Sequence, residues 1–146
     1  MIKKLSPMVA ALGVFAALGV PAVASANVVT DWDRTMVAAL ETGPTPPPPA
    51  ARVAAIVQSS VFDAVNGIAR RYTPVHVPPA GPRDASQAAA AAGAAHEALV
   101  ALFPAAAEQT VLDQQLADTV AQLSTSEDSR AIADGLAWAR RWPIRS

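Results

Sequence analysis

Residues 53–74 read VAAIVQSSVFDAVNGIARRYTP, and their apolar positions recur every three or four residues. Val53, Ile56, Val57, Val61, Ala64, Val65 and Ile68 form one continuous stripe, the pattern of a helix that buries a single side. The spacing predicts a helix over 50–70, about 30 Å long at ~1.5 Å per residue, which is the length of a bundle element. One polar group interrupts the stripe. Asp63 and Asn66 lie three apart and share a face, so they could hold a ligand, a metal or a neighbouring stretch of backbone. A polar pair beside a buried stripe ordinarily satisfies a loop or a helix end.

Outward from this helix the chain is punctuated by proline. On the amino-terminal side, residues 43–49 (GPTPPPP) read as a stiff connector, with Pro49 suited to open the helix. Before it, Trp32, Met36 and Leu40 fall at helical spacing and predict a first helix over 28–42, capped by Thr30 or Asp31. On the other side, residues 72–82 (YTPVHVPPAGP) are too rich in proline for a central strand. Asp84 and Ser86 then offer caps for a third helix over 87–102, whose alanine run has high helix propensity and little bulk. A fourth helix is expected from Pro104 to Leu123, with Val111, Leu112, Leu116, Val120 and Leu123 on one side. A capping box at residues 124–127 would open a fifth over 126–141, with Ile132, Leu136 and Ala139 inward. No strand pattern, fixed-period repeat or glycine-rich phosphate loop is present. The expected fold is therefore an all-α bundle of about five helices.

Length and composition agree with one core: the chain has 146 residues, 52% of them hydrophobic. Lys3 and Lys4 precede an apolar run that ends in Ala24-Ser25-Ala26, the arrangement of a signal peptide cleaved after Ala26. Pro7 and Pro21 interrupt that run, so it is short for a membrane anchor. The expected organisation is a signal peptide at 1–26 and a helical domain at 27–146, exported to the periplasm or the exterior, with no stable membrane span after cleavage. Loss of residues 1–26 removes both lysines and no acid, leaving nine arginines against 12 acidic residues and a net charge of −3. That balance argues against nucleic acid as a partner. The absence of cysteine excludes disulfides, thiolate metal sites and a cysteine nucleophile.

No other residue gives a strong chemical signal. Asp31 and Asp33 can pair with Arg34 or Arg52, but acids in a first helical turn are favoured there by the dipole alone. His76 lies in a proline loop and His96 beside Glu97, neither at the spacing of a helical metal site; a solvent-edge or loop-bonding role is expected for both. Ser59, Ser60 and the serines of 124–129 lack a nucleophile-elbow setting. Trp138 and Trp142 are spaced as an i,i+4 aromatic pair, expected to pack or to form an exposed truncated edge rather than a base-stacking platform. No catalytic, cofactor-binding or metal-binding residue is expected in this chain.

Three blocks carry a resemblance: residues 29–34 (VTDWDR), residues 49–52 (PAAR), and residues 63–68 with 72–74 (DAVNGI and YTP). Together they are similar to the amino-terminal helical region of secreted bacterial vanadium-dependent haloperoxidase-like proteins, of the type 2 phosphatidic acid phosphatase superfamily. Residues 94–104 (AAHEALVALFP) look like that family's next helix and turn, so the similarity covers most of 28–139. The resemblance implies a larger helical bundle that binds vanadate, or phosphate in the phosphatase branch. The groups that bind it come from carboxy-terminal motifs of the type Lys…Arg-Pro, Pro-Ser-Gly-His and Ser-Arg…His. None of these motifs occurs here, and no site residue can be transferred. Residues 139–146 leave the family's helical continuation, as a premature stop or frameshift would produce. The expected function is thus a scaffold fragment, inactive alone and prone to self-association through unpaired apolar helix faces. The alternative is a stand-alone exported helical module that binds a partner.

Overall fold

The computed structural model describes residues 22–42 and 45–141, which form five helices and no strand. In order they are α1 (Ala22–Thr42), α2 (Pro47–Ala69), α3 (Gln87–Leu102), α4 (Ala106–Leu123) and α5 (Ser129–Ala139). The expected all-α bundle is what the chain adopts. No described helix is long and apolar enough to cross a membrane. Residues 1–21 of the expected signal peptide, and Trp142, lie outside the described residues.

α3 runs through the centre and packs against each of the other four helices. Ten of its 16 residues are buried, nine of them alanine or glycine. A helix that is apolar all round has to be enclosed, and small side chains let its neighbours come close. Each buried alanine methyl contributes only ~0.8 kcal/mol, so bulk comes from elsewhere. Trp32 of α1, Val57 of α2, Leu99 of α3 and Leu112 of α4 are all almost completely buried around it.

Two close approaches fix how α5 docks. A Cβ on Gly67 of α2 would lie 2.5 Å from Trp138 Cζ2, and one on Gly135 would overlap the Ser86 carbonyl. Trp138 fills the space at Gly67 and donates its indole N–H to the Ala64 carbonyl at 3.0 Å. The start of α3 is tied to the same helix, because the Ser86 N–H donates to the Ala131 carbonyl at 2.8 Å.

Helix boundaries differ from expectation where termini follow local chemistry. α3 has the expected limits, with Ser86 Oγ accepting the Ala89 N–H as its cap. α1 starts at Ala22, upstream of Thr30 and Asp31, since residues 22–27 contain nothing that breaks a helix. α2 starts at Pro47, not at 50. Its first turn is Pro47-Pro48-Pro49, and the Ala50 N–H makes the first bond, to Pro46 O at 3.0 Å. First-turn residues have no intrahelical acceptor for an N–H, so prolines cost nothing there and preset φ. Pro104 falls outside α4, which begins at Ala106.

The expected capping box at 124–127 does not form. The hydroxyls of Ser124, Thr125 and Ser126 donate back to carbonyls at the end of α4. Asp128 caps α5, accepting the N–H groups of Arg130 and Ala131. A carboxylate beside the positive end of a helix is the stronger cap. Within α5 the buried face is Ile132, Gly135, Trp138 and Ala139, with Leu136 half-buried. In α4, Leu112 and Leu123 are buried, whereas Val111 is 64% exposed.

Candidate functional site

The polar group that interrupts the α2 stripe holds the following loop. Asp63 is 1% exposed, and its two carboxylate oxygens accept the backbone N–H groups of Val75 and His76, each at 2.7 Å. Asn66, 2% exposed, uses both ends of its amide. Its oxygen accepts from the Arg71 and Tyr72 N–H groups at 3.1 and 2.9 Å, and its nitrogen donates to the Tyr72 carbonyl at 2.8 Å. Both side chains are therefore fully engaged with backbone.

The reversal that brings the loop back begins at Arg70, which is left-handed (φ 53°, ψ 43°) and donates its N–H to the Asn66 carbonyl. Glycine is usual at such a helix end. Here the Arg70 guanidinium donates to the Gly81 carbonyl at 3.0 Å, and the Gly81 N–H donates to Gly67 O at 3.1 Å. Both ends of the loop are thus fastened to the end of α2. His76 keeps the expected loop role through its backbone, with its side chain exposed.

His96 is half-buried at the junction of α3 and α4 and, among the described residues, bonds no loop. Its side chain is 12% exposed, and Nε2 lies 2.7 Å from an Asp113 oxygen, linking α3 to α4. A carboxylate can only accept, so Nε2 is the donor of this bond. Trp32 of α1 meets the ring edge-on, with centroids 6.2 Å apart. Among the described residues neither Trp32 Nε1, a donor, nor His96 Nδ1 has a hydrogen-bond partner. The nearest carboxylate on α3 is Glu97, 4.0 Å from Nδ1. Three helices converge on one half-buried imidazole.

The remaining candidates are local. Asp31 pairs with Arg34 at 2.6 Å on the surface, and Asp33 accepts from Gln58 at 2.5 Å, joining α1 to α2. Ser59 and Ser60 donate to the Ile56 carbonyl. A cleft of about 350 Å³ lies between α1, α2 and the clamped loop, walled by Val29, Val61, Phe62, Val65, Ala69 and Tyr72.

These residues do not fit a vanadate or phosphate group. A trianionic oxyanion needs several convergent cations and donors. Among the described residues Arg34 is paired with Asp31, Arg130 with Asp134 and Arg70 with a carbonyl, while Arg52, Arg71, Arg83 and the adjacent Arg140 and Arg141 stand on separate segments. No cluster of three metal-ligating side chains occurs among them either.

Fold and site define an all-α bundle wound around an alanine-rich central helix, whose buried polar side chains position backbone. Compared with known proteins, the chain matches no family model, no curated protein and no solved structure.

Proposed function

We propose that the chain is a non-catalytic helical scaffold: the amino-terminal part of an exported vanadium-dependent haloperoxidase or acid-phosphatase-like protein, without turnover of its own. The observation that carries this reading is the complete use of Asp63 and Asn66 by the 71–76 backbone. The block most responsible for the resemblance thus has a structural purpose, which is what a scaffold region requires. The test is to translate the locus past the Ser146 codon in all three forward frames. The reading expects a frame with the Lys…Arg-Pro and Pro-Ser-Gly-His type motifs, and expects bromide oxidation with vanadate and peroxide only when that product is joined to this chain. Absence of such a frame sinks it.

One observation favours the second reading, a stand-alone exported helical module. The five helices enclose a continuous core of their own, in which Trp32, Leu99 and Leu112 are each 2% exposed or less. On the scaffold reading self-association would use the groove between α1 and α4, lined by Ala38, Ala39, Val111 and Leu112 together with Glu108 and Gln115. A sharp two-state melt with a monomeric elution volume would support the independent module instead.

A further inference from the structure

We propose that the cleft between α1, α2 and the 71–76 loop is a binding site for a small amphipathic organic anion, a carboxylate carrying an acyl or aryl body. Its volume of about 350 Å³ lies in the range of small-ligand pockets, roughly 300–1,000 Å³. The walls are mainly aliphatic, with the amides of Gln58, Asn66 and Gln87 among them, and Phe62 and Tyr72, exposed by 36% and 68%, meet there with ring centroids 6.1 Å apart. Two aromatic rings left partly open beside an aliphatic cleft provide a surface for an apolar body.

Charge identifies the other end of the ligand. Among the described residues Arg71 is the only charged one lining the cleft, and no acid lines it. Its guanidinium has no hydrogen bond or ion pair among the described residues, whereas neighbouring Arg70 is fastened to Gly81. Gln58, also in the lining, already donates its amide N–H to Asp33. A guanidinium presents paired donors that match a carboxylate.

Preorganisation separates this cleft from an ordinary surface dent. Asn66 forms part of the wall, and its amide oxygen fixes the backbone of both Arg71 and Tyr72. The left-handed turn at Arg70 immediately precedes them, and a non-glycine residue stays in that conformation only where its surroundings hold it. Anion anchor and aromatic flank therefore hang from one immobilised corner, which lowers the ordering cost of binding. This site does not depend on the scaffold reading, since it uses none of the oxyanion motifs of that family.

The test is an amide-resolved NMR titration of the full chain with octanoate, 1-octanol and octylammonium. Expected are saturable shifts confined to the neighbourhood of Val29, Val65, Ala69 and Tyr72, with octanoate binding about tenfold or more tighter than octanol, the worth of one charge-assisted contact. Octylammonium should bind weakest, and Arg71→Gln should remove the preference for octanoate while octanol binding persists. Arg71 is exposed, and the spectrum of the variant itself reports whether the fold is kept. Octanol binding as tightly as octanoate, an unchanged preference in R71Q, or no saturable shifts with any of the three would overturn the proposal. Should R71Q fail to fold, the octanoate-against-octylammonium comparison on the unaltered chain decides it.

Discussion

Trp138 donates its indole N–H to the Ala64 carbonyl at 3.0 Å, across 74 positions of sequence, and lays its ring where a side chain at Gly67 would stand. This contact fastens the last helix to the longest one. Trp138→Phe keeps most of the ring and removes the donor, so stability should fall by about 1–2 kcal/mol. Gly67→Ala pushes a methyl into the ring and should cost about 1–3 kcal/mol. Both act at one contact, so their combined cost in chemical denaturation should fall short of the sum. Strict additivity would show that the ring is not packed on Gly67.

The loop clamp makes a prediction that local exchange can read. Asp63→Asn leaves one oxygen for two N–H groups and should cost about 1–3 kcal/mol. Amide hydrogen exchange at Val75 and His76 should accelerate while the centre of α3 stays protected. Uniform acceleration across the chain would instead mean that the clamp is part of the global fold.

Asn66→Asp is the more damaging change despite its similar shape. It retains an acceptor for Arg71 and Tyr72 but sets a second oxygen against the Tyr72 carbonyl. A loss of about 2–3 kcal/mol is expected at neutral pH, from an unpaired buried acceptor. A melt within error of the unaltered chain would contradict the geometry of the amide.

The partner of His96 is largely exposed, and screening weakens its contribution. Asp113→Asn should therefore change stability by no more than about 1 kcal/mol. His96→Ala opens a half-buried junction of three helices and should cost more, about 1–3 kcal/mol, toward the lower end of cavity-forming truncations. Comparable small effects from both would place the imidazole outside the core.

Cleavage after Ala26 would fall inside α1, removing residues 22–26 and sparing Val28, Trp32 and Met36, the buried positions of that helix. A chain beginning at Asn27 should melt cooperatively, within about 1 kcal/mol of the longer form, as frayed termini contribute little. A broad, non-cooperative melt would show that the first turns are needed.

Periodicity made α2 legible, and alanine propensity with the candidate caps Asp84 and Ser86 made α3 legible; of the two caps the chain uses Ser86. The role of Asp63 and Asn66 was also legible, as a loop-holding pair, though not the particular N–H groups they take. Proline was misread at both of its helix-start positions. Pro47 to Pro49 look like a connector only if each missing N–H is assumed to matter, and in a first turn it does not. Pro104 looks like a first-turn residue, yet it stands ahead of α4. The His96 junction could not be read at all, because Asp113 lies 17 positions away on another helix and Trp32 on a third. The one available clue was a lone imidazole in the middle of an alanine run. Trp138 was read as a packing residue, but its seat depends on Gly67, and nothing in the spacing links the two.

A core helix made of methyl groups also shapes how this fold can change over evolutionary time. In most bundles a central position drifts among leucine, isoleucine, valine and methionine while its neighbours repack. Residues 88–95 are all buried, and α5 comes so close that a Cβ on Gly93 would lie 2.8 Å from that of Ala139, so the exchanges open to this run are among small residues such as alanine, glycine and serine. Variation is displaced to the outer helices and their termini. Chains sharing this architecture would then agree in side-chain volume along α3 more than in any residue identity elsewhere, and a comparison weighted by size would group them where one weighted by identity does not.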